Sequence, residues 1–568
     1  MRRSLAIAVV GAAALAAVLL LGRGASGESA TPAASGIVFV VGGSDQSGEP
    51  AADGAPATSG WLQADALAAE ADGGLLVASR NVVRRIGLDG VVRTVAGDGR
   101  TGFSGDGGRA TAARLGDPVG GLAALADGGF LVLDATNHRV RRVWPDGRIT
   151  TVAGTGVAGT SGDGGPAIAA RLPANPGGFA ATPDDGFVIV DADHGLLRRV
   201  RADGTIRTIA TGIFSPFLAV RADGGVLWSD IERNRVLALG PDGQRATIAG
   251  TGITGHGGDG GPATKARLAP GALTVGPDGS VLVTDGADGD SPRIRRITPD
   301  GRIGTILGGP PRYLGADESP DGRPARTVAI RAGALAAAPD GGFYATDVFA
   351  DELDDTEGNL LVDSPTTVLY VPGAVPQRLA LSATIAAASP PMRFHVALTL
   401  PATLQATLRH GGRVIARSSQ QLPAVTDHAI ALPQVPAGPY RIDLRAVTGD
   451  NRTVTRDDTA YLGSRLTLRW GRRFARHYLR VRLGIPSAAV GRCRRFSTWR
   501  VDCELVAAPT RCRQAVAVNV ERQARQAWLV ARPYRCSSGT PDHLQRHPHY
   551  LEFVPLNQAS LADAWRDG

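Results

Sequence analysis

Residues 98–154 read DGRTGFSGDGGRATAARLGDPVGGLAALADGGFLVLDATNHRVRRVWPDGRITTVAG, and this stretch decides the fold. It contains four short runs, GLAALA, FLVLD, RVRRV and RITTVAG, whose apolar or alternating pattern is typical of β-strands. The dipeptides Asp127-Gly128 and Asp146-Gly147 suit tight hairpin turns, because Gly tolerates a positive φ. The stretch therefore predicts one four-stranded antiparallel sheet.

The phrase TVAG that ends this stretch recurs as TVAG, TIAT, TIAG or TILG. Its last residue falls at Gly97, Gly154, Thr211, Gly250 and Gly308, so successive units are 57, 57, 39 and 58 residues long. Such a period indicates a repeat architecture. The Asp-Gly of the first hairpin occurs six times, at 72–73, 127–128, 185–186, 223–224, 278–279 and 340–341. We therefore predict an all-β chain that begins with a six-bladed β-propeller.

The sixth unit lacks a fourth strand on its C-terminal side. Residues 366–372 (TTVLYVP) read as its third strand, and an acidic insertion at 351–363 precedes them. Residues 37–43 (IVFVVGG) read as a strand that belongs to no unit of its own. We expect this N-terminal strand to complete the sixth blade, because such pairing closes the ring and protects its edges.

Several units carry an insert between their last strand and the first strand of the next unit. We call these stretches the GDGG inserts: residues 105–115 (GDGGRATAARL), 162–172 (GDGGPAIAARL) and 258–268 (GDGGPATKARL), with weaker copies at 53–62 and 321–330. No insert precedes the fourth unit, which explains the 39-residue step. The Gly-Pro-Ala start predicts a turn followed by one short helical turn.

The connection between two blades lies on the same face of a propeller as the loop between strands two and three. That loop carries polar residues such as Asn137 and His138, and loops are where binding residues concentrate. We therefore predict a binding rim on this face. Its candidate residues are Asp106, Asn137, His138, Asp163, His194, His256 and Asp259.

The carboxylates of this rim have two interpretations. The Asp of each GDGG could ligate Ca²⁺, or it could close an Asx-type turn on its own backbone, which we favour. A second Asp recurs at the end of strand two, and its recurrence favours a structural tie to the next loop over catalysis. The positions of this second Asp are Asp134, Asp191, Asp230, Asp285 and Asp347.

The segment LVLDATNHRV (residues 131–140) resembles the NHL repeat, although Arg139 stands where that repeat usually has Leu. Residues 152–172 (VAGTGVAGTSGDGGPAIAARL) look like the NHL propellers of bacterial surface proteins and of teneurins. The resemblance covers about residues 36–375. It implies a six-bladed propeller used as a protein-, peptide- or glycan-binding module without a cofactor.

The same resemblance supplies an alternative. Six-bladed relatives with lyase activity use several histidines and a metal near the central channel, so His138, His194 and His256 could serve a metal-dependent lyase or hydrolase with Zn²⁺ or Ca²⁺. The three histidines follow no ligand spacing, however, and no nucleophile motif such as G-x-S-x-G occurs. We predict a protein that is not an enzyme.

The N-terminal residues predict export. Arg2 and Arg3 precede an apolar stretch over residues 4–21, and small residues at 25–27 suit cleavage. We interpret residues 1–27 as a signal peptide, with a retained membrane anchor as the alternative. The expected location is secreted or at the bacterial cell surface.

The C-terminal third has a different pattern. Residues 379–463 alternate with period two and resemble a bacterial Ig-like β-sandwich. Residues 464–541 form an Arg-rich segment, and we expect residues 542–568 to be a flexible tail. The cysteines of the Arg-rich segment are Cys493, Cys503, Cys512 and Cys536. In an exported chain they predict two disulfides, for which proximity favours Cys493–Cys503 and Cys512–Cys536.

Charge does not point to a nucleic-acid partner. The 568-residue chain has a net charge of +8, almost wholly from Arg, since Lys265 is its single lysine. The repeat region also holds many Asp residues, so no basic face is predicted. A third hypothesis is an architectural envelope protein whose Arg-rich C-terminal segment attaches to the cell wall.

Overall fold

In the computed structural model, unit boundaries follow the repeat seen in the sequence. The structure describes residues 37–555 except for 44–49, 287–292, 309–322, 329, 331, 349–365, 374–377, 388–392, 411, 432–434, 437, 463–487, 498–499, 508–511, 521–525 and 532–549. The predicted signal segment, acidic insertion and last residues of the tail lie outside the described residues.

The repeat region forms four-stranded antiparallel sheets, six of them among the described residues. In chain order the strands are β1 Phe39–Gly42, β2 Ala66–Ala69, β3 Leu75–Ser79, β4 Val82–Ile86, β5 Val92–Ala96, β6 Gly121–Ala124, β7 Phe130–Asp134, β8 Arg139–Val143, β9 Ile149–Ala153, β10 Pro176–Ala181, β11 Phe187–Asp191, β12 Leu196–Val200, β13 Ile206–Thr211, β14 Leu218–Val220, β15 Val226–Asp230, β16 Arg235–Leu239, β17 Arg245–Ala249, β18 Pro270–Val275, β19 Val281–Asp285, β20 Arg293–Ile297, β21 Ile303–Leu307, β22 Ala332–Ala337, β23 Phe343–Val348 and β24 Thr366–Val371. Sheets 1 to 5 take β2–β5, β6–β9, β10–β13, β14–β17 and β18–β21, and sheet 6 has the order β22-β23-β24-β1.

The sheets are arranged as in a propeller. The first strands contact one another in the cycle β2, β6, β10, β14, β18, β22 and back to β2, so they lie innermost. Apolar side chains of neighbouring sheets form the cores between them, as Leu76 of sheet 1 does with Val132 of sheet 2. Each sheet thus buries both faces, one against each neighbour.

The N-terminal strand closes this cycle as predicted. Phe39 lies opposite Tyr370, and Val40 opposite Leu369, in antiparallel pairing of β1 with β24. Phe39 is buried in the core between sheets 6 and 1, together with Leu75 and Tyr344. Residues from the two ends of the repeat region therefore share one sheet.

Each GDGG insert acts as an extra edge for the sheet that follows it. In sheet 3, Gly164 donates its backbone N–H to the carbonyl of Ile206 at 2.7 Å, and Ile206 donates to Gly165 at 3.1 Å. The same reciprocal pair joins the insert to Val92 in sheet 1, Ile149 in sheet 2 and Ile303 in sheet 5. In sheet 6, Val38 donates to Arg323 at 2.9 Å.

The second half of each insert packs as a wedge between two sheets. A single 3-10 turn begins there, as predicted, at Ala110–Ala112, Ala167–Ala169, Ala263–Lys265 and Ala325–Thr327. Pro166 lies directly before its turn rather than in it. Ala167, Ala170 and Leu172 are buried between sheets 2 and 3. Between sheets 3 and 4 no insert is present, and buried Trp228 and Ile213 occupy that core instead.

A β-sandwich follows the ring. Its strands are β25 Leu381–Ala387, β26 Arg393–Leu398, β27 Ala402–His410, β28 Arg413–Leu422, β29 Val425–Ala431, β30 Gly438–Val447 and β31 Thr453–Leu462. They form one sheet of order β25-β26-β29 and one of order β28-β27-β30-β31. Phe394 of the first sheet and Leu404 of the second share one core.

Arg378 joins the sandwich to the ring. Its buried guanidinium donates to the carbonyl of Gly87 at 2.8 Å, to that of Gly73 at 3.1 Å and to the hydroxyl of Tyr344 at 3.1 Å. Gly73 and Gly87 belong to hairpin turns of sheet 1, whereas Tyr344 lies in sheet 6. One side chain therefore ties the sandwich to the seam where the ring closes.

A third antiparallel sheet, of order β32-β33-β34-β35-β36, ends the described chain. Its strands are β32 Ala488–Ser497, β33 Arg500–Ala507, β34 Cys512–Val520, β35 Gln526–Ala531 and β36 Tyr550–Pro555. The prediction of a flexible tail is thus wrong for residues 550–555, because the alternating YLEFVP pairs along β35 as an edge strand. Cys493 lies opposite Cys503 in the register, which suits the predicted disulfide between them. Both disulfide pairings stay predictions.

The substitution Phe39→Ala tests ring closure. Removing this buried ring should lower the free energy of unfolding by about 3–5 kcal/mol, because the cavity lies in the seam between sheets 6 and 1. Phe214→Ala is the matched control: Phe214 is 64% exposed, so a change within about 0.5 kcal/mol is expected. Urea denaturation of both variants measures the difference, and equal midpoints would contradict the closing role of β1.

Candidate binding rim

The loops between strands two and three contact the connections between sheets, so both lie on one rim as predicted. Asn137 donates through Nδ2 to the carbonyl of Gly102 at 2.8 Å and to Oδ1 of Asp134 at 2.7 Å. Nδ1 of His138 lies 3.2 Å from the carbonyl of Pro173. This loop is therefore held by the connection before its sheet and by the one after it. We call this face the loop rim. It is made by residues 97–104, 135–138, 154–161, 192–195, 211–217, 231–234 and 250–257.

The other two predicted histidines each pair with an Asp that ends strand two. Nδ1 of His194 lies 2.9 Å from Oδ1 of Asp191, and Nδ1 of His256 lies 3.3 Å from Oδ2 of Asp285. Both carboxylates are fully buried. Among the described residues, no group of three or more His, Cys, Asp or Glu side chains comes together as a metal site.

The strand-two Asp has the structural role that its recurrence predicted. Asp134 accepts from the backbone N–H of Gly116 at 2.8 Å, and Asp285 accepts from that of Ala269 at 2.7 Å. Gly116 and Ala269 directly follow GDGG inserts. The carboxylate therefore fixes the return of these two inserts to the rim, whereas Asp191 in sheet 3 accepts from the backbone N–H of His194 at 3.1 Å.

The Asp of each GDGG insert makes a different contact from the expected Asx turn. Asp163 accepts from Nη2 of Arg198 at 2.6 Å and from the backbone N–H of Thr208 at 2.7 Å. Arg198 lies in the third strand of sheet 3 and Thr208 in the fourth. The side chain thus bonds to the sheet instead of closing on its own loop, because a buried guanidinium stands within reach.

This Asp–Arg contact recurs around the ring. The same pair occurs in sheet 2 between Asp106 and Arg141 at 2.7 Å, and in sheet 5 between Asp259 and Arg295 at 2.6 Å. All three Arg side chains are fully buried. A longer pair joins Asp53 to Arg84 in sheet 1 at 3.2 Å. We call these contacts the insert clamps.

The buried guanidinium of a clamp is satisfied on more than one side. Arg198 also donates to the carbonyl of Arg171 at 2.7 Å and to that of Ser161 at 3.2 Å. In sheet 5, Nη1 of Arg295 additionally lies 3.1 Å from Oδ2 of Asp285. A buried charge is tolerated when it is paired and fully hydrogen-bonded, so the clamps at Arg198 and Arg295 each stabilise both an insert and the strand below it.

The clamps of sheets 3 and 5 lower the pKa of their carboxylates. Burial raises the pKa of Asp163, but hydrogen bonds from Thr208 and Arg198 outweigh it and hold that pKa below its usual value. The same balance, with Thr305 and Arg295, lowers the pKa of Asp259. At Asp134 burial prevails and raises the pKa. The ionised form of Asp163 and Asp259 is therefore the one that stabilises the fold.

Apolar side chains are exposed on the loop rim between its bonded polar residues. Val157 is 51% exposed and Ile253 is 55% exposed, at the same position of two connections, six residues before the GDGG Asp. Phe214 is more exposed still, and Ile231 is exposed on the neighbouring strand-two loop. Three of these residues come from the three successive connections that flank sheets 3 and 4.

Phe214 is both exposed and fixed. A Cβ added at Gly195 would lie 2.5 Å from its ring, so the ring covers the backbone of this glycine, which has a φ of +64°. Ile213 beside it is buried and donates its N–H to the carbonyl of Gly195 at 3.0 Å. The aromatic ring is thus held in place beside His194. Exposed but ordered aromatic rings are common anchors at protein interfaces.

Sequence reasoning missed the clamp arginines and the exposed apolar residues. A signal for the clamps was present: the GDGG Asp precedes its Arg by about the same number of residues in sheets 2, 3 and 5. The pattern RVRRV, interpreted as a half-buried strand with its basic residues outside, instead buries Arg141 completely. The structure places Asn137, His138, His194 and His256 on the loop rim. It places Asp106, Asp163 and Asp259 on the fourth strands at the outer edges of their sheets, away from that rim. The predicted binding role of all seven residues stays a prediction.

Comparison with known proteins gives a limited match. No family model matches the chain. Teneurin-m of Drosophila melanogaster is 28% identical over 304 residues, which cover 46% of this chain and 10% of the teneurin. The chain spans about a tenth of the length of this relative, so the similarity concerns one region of a much longer protein.

Similar solved structures are β-propeller proteins of low sequence identity. A Bacteroides thetaiotaomicron protein of unknown function is 17% identical, with a TM-score of 0.40, over 59% of this chain and 75% of that chain. Virginiamycin B lyase from Staphylococcus aureus is 15% identical, with a TM-score of 0.32, over 59% of this chain and 90% of that chain. Likenesses of this degree say nothing about activity. In the described part of the chain, no helix is long and apolar enough to cross a membrane.

Substitutions in one clamp test its structural role. Asp163→Ala should lower the free energy of unfolding at pH 7 by about 2–3 kcal/mol, because it leaves the buried Arg198 without its carboxylate. The cost is below that of a fully buried pair, since the Asp163 side chain is 40% exposed. Adding Arg198→Leu should recover most of the loss by removing the unpaired charge. A double variant that is less stable than Asp163→Ala would contradict this.

The clamp also predicts a pH dependence. The pKa of Asp163 is lower in the folded chain than in the unfolded chain, so its stabilisation is present above about pH 4 and is lost as the pH falls below that value. Urea denaturation from pH 3 to pH 7 should therefore show a shallower acid loss in Asp163→Asn than in the wild type. Asp193→Asn, on an exposed loop of the same sheet, is the control for general charge effects.

Proposed function

We propose that residues 36–375 form a six-bladed NHL-type β-propeller that binds a protein or peptide on its loop rim and is not an enzyme. The observation that carries this proposal is the group of exposed apolar side chains formed by Val157, Phe214, Ile231 and Ile253. Exposed apolar residues that recur on one face of a soluble fold are typical of an interaction site. The polar residues around them are held by bonds within the ring.

The chemistry of this group favours a protein or peptide over a glycan. Val157 and Ile253 are aliphatic and offer neither an aromatic face nor hydrogen bonds to sugar hydroxyls. Phe214 supplies one fixed ring that an apolar side chain of a partner can cover. The predicted rim residues His194 and His256 flank this surface and would form its polar border.

The remaining modules fit a protein of the bacterial cell envelope. The sandwich after the ring supports an Ig-like spacer, because buried Tyr440 donates its hydroxyl to the carbonyl of Pro436 at 2.9 Å, as the tyrosine corner of such sandwiches does. Export and a cell-surface location are proposed from the N-terminal Arg2-Arg3 and the apolar residues 4–21. Neither proposal requires a cofactor.

Substituting the apolar group tests the binding surface. The triple variant Val157→Ser, Phe214→Ser, Ile253→Ser should bind its partner about 100-fold more weakly, because three buried apolar contacts contribute about 1 kcal/mol each. Capture of envelope proteins by the full chain identifies the partner, and titration of that partner with both chains measures the affinity.

Ile168→Ser is the matched control. Ile168 is 56% exposed in the 3-10 turn of a GDGG insert, where it lines a cavity with the hairpin turn Asp203-Gly204, at the end of sheet 3 opposite the loop rim. This variant should keep the wild-type affinity. Equal binding by the wild type and the triple variant, with both folded, would contradict the proposal.

A further inference from the structure

Among the described residues, the outer edge of sheet 4 is open where those of the other sheets are covered. Its edge strand is β17, Arg245–Ala249, and the connection before this sheet contains no GDGG insert. In the described part of the chain, no segment makes a backbone bond to the outer side of β17. The other five edges each bond to an insert at the equivalent position.

The register of strand pairing identifies the backbone groups on the outer side of β17. Arg245 lies opposite Leu239, as Ile206 lies opposite Val200 in sheet 3. Ile206 exchanges two backbone bonds with its insert, and two residues later Thr208 donates its N–H to Asp163. By this equivalence, the N–H and C=O of Arg245 and the N–H of Thr247 point outward from sheet 4.

Sheet 4 differs from the clamped sheets in the side chains at the two positions that an insert would contact. The position of Arg198 in sheet 3 is taken by Leu237, so no buried cation is left without its clamp. The position of buried Ile206 is taken by exposed Arg245. Its guanidinium donates to the carbonyl of Thr211 and does not cover the edge of β17. Sheet 4 therefore has no buried cation that an insert would need to neutralise, but it keeps the backbone N–H and C=O groups with which an insert would pair.

We propose that β17 is a second binding site, which takes an Asp-containing segment of a partner protein by the same backbone pairing that the inserts use. The two reciprocal bonds that hold Gly164 and Gly165 against Ile206 would form instead between the partner backbone and Arg245. This site lies on the outer edge of one sheet and does not depend on the loop rim.

The inserts define the chemistry of the ligand. In each clamped sheet the covering segment begins with a tight turn, such as the one that Gly165 closes by donating its N–H to the carbonyl of Gly162 at 3.1 Å, and it places an Asp carboxylate on the fourth strand, as Asp163 does at Thr208. At sheet 4 the same carboxylate would accept the N–H of Thr247 and face Arg245, which projects on the same side of the strand. Half-exposed Leu237 would give the partner an apolar contact where the insert meets Arg198 in sheet 3.

A synthetic peptide of the chain's own insert, residues 161–173 (SGDGGPAIAARLP), is the probe. Labelled with a fluorophore, it should bind the full chain saturably in a fluorescence anisotropy titration. A peptide with Asn in place of Asp163 should bind at least tenfold more weakly. Absence of saturable binding by the wild-type peptide would overturn the proposal.

Variants of the protein locate the site. Thr247→Pro removes an outward N–H that the sheet itself does not use, and should abolish peptide binding. Arg245→Glu should weaken it at least tenfold, because the new carboxylate repels the carboxylate of Asp163 in the peptide. Arg207→Glu is the matched control, because Arg207 is exposed on the fourth strand of sheet 3, whose edge is already covered; it should bind as the wild type does.

Three results distinguish binding at β17 from nonspecific charge attraction and from binding at the loop rim. Unchanged binding by Arg245→Glu would overturn the proposal, even if Thr247→Pro failed to fold. Equal weakening by Arg207→Glu would show nonspecific charge attraction and would also overturn it. The triple rim variant Val157→Ser, Phe214→Ser, Ile253→Ser should bind the peptide normally, so failure of the loop rim and failure of the sheet edge are distinguishable.

Discussion

The fold depends on covering the outer edges of five of the six four-stranded sheets found among the described residues. Such an edge presents unpaired backbone groups, and sheets that radiate from an axis also leave widening gaps between them. One insert meets both needs: its first half pairs with the edge at Ile206, and its second half places Ala167 and Leu172 in the gap. The clamp between Asp163 and Arg198 holds the two halves to the sheet.

This constraint separates structural residues from candidate binding residues. The most conspicuous polar residues of the repeat, such as Asp106 and Asp259, are bonded to buried arginines and occupy the same place in several sheets. Phe214 occurs once, at the unit that lacks an insert, and is exposed. In a repeat protein, a departure from the repeat is therefore the better guide to a site.

Much of the fold was predictable from the sequence, because hairpin turns and strand alternation are local. Asp127-Gly128 and its counterparts indicate the strand pairs, and the unpaired residues 37–43 indicate the closing strand. The clamps were not predictable in this way, because they join residues in different elements and bury Arg141 in a strand whose pattern is ambiguous. The exposure of Val157 depends on how its connection turns at the rim, which no local pattern specifies. The edge strand β36 is a single short alternating run near the C-terminus, and the 18 residues between Ala531 and Tyr550 are too many for a hairpin turn to indicate its pairing with β35.

The joint at Arg378 determines which face of the ring is presented to the surroundings. Its guanidinium holds the hairpin turns of sheet 1, and in an antiparallel sheet those turns lie at the opposite end from the strand-two loops. The C-terminal modules thus leave from the back of the ring. If those modules are fixed to a surface, the loop rim faces away from that surface. The open edge of sheet 4 then points parallel to it, toward a neighbouring molecule on the same surface.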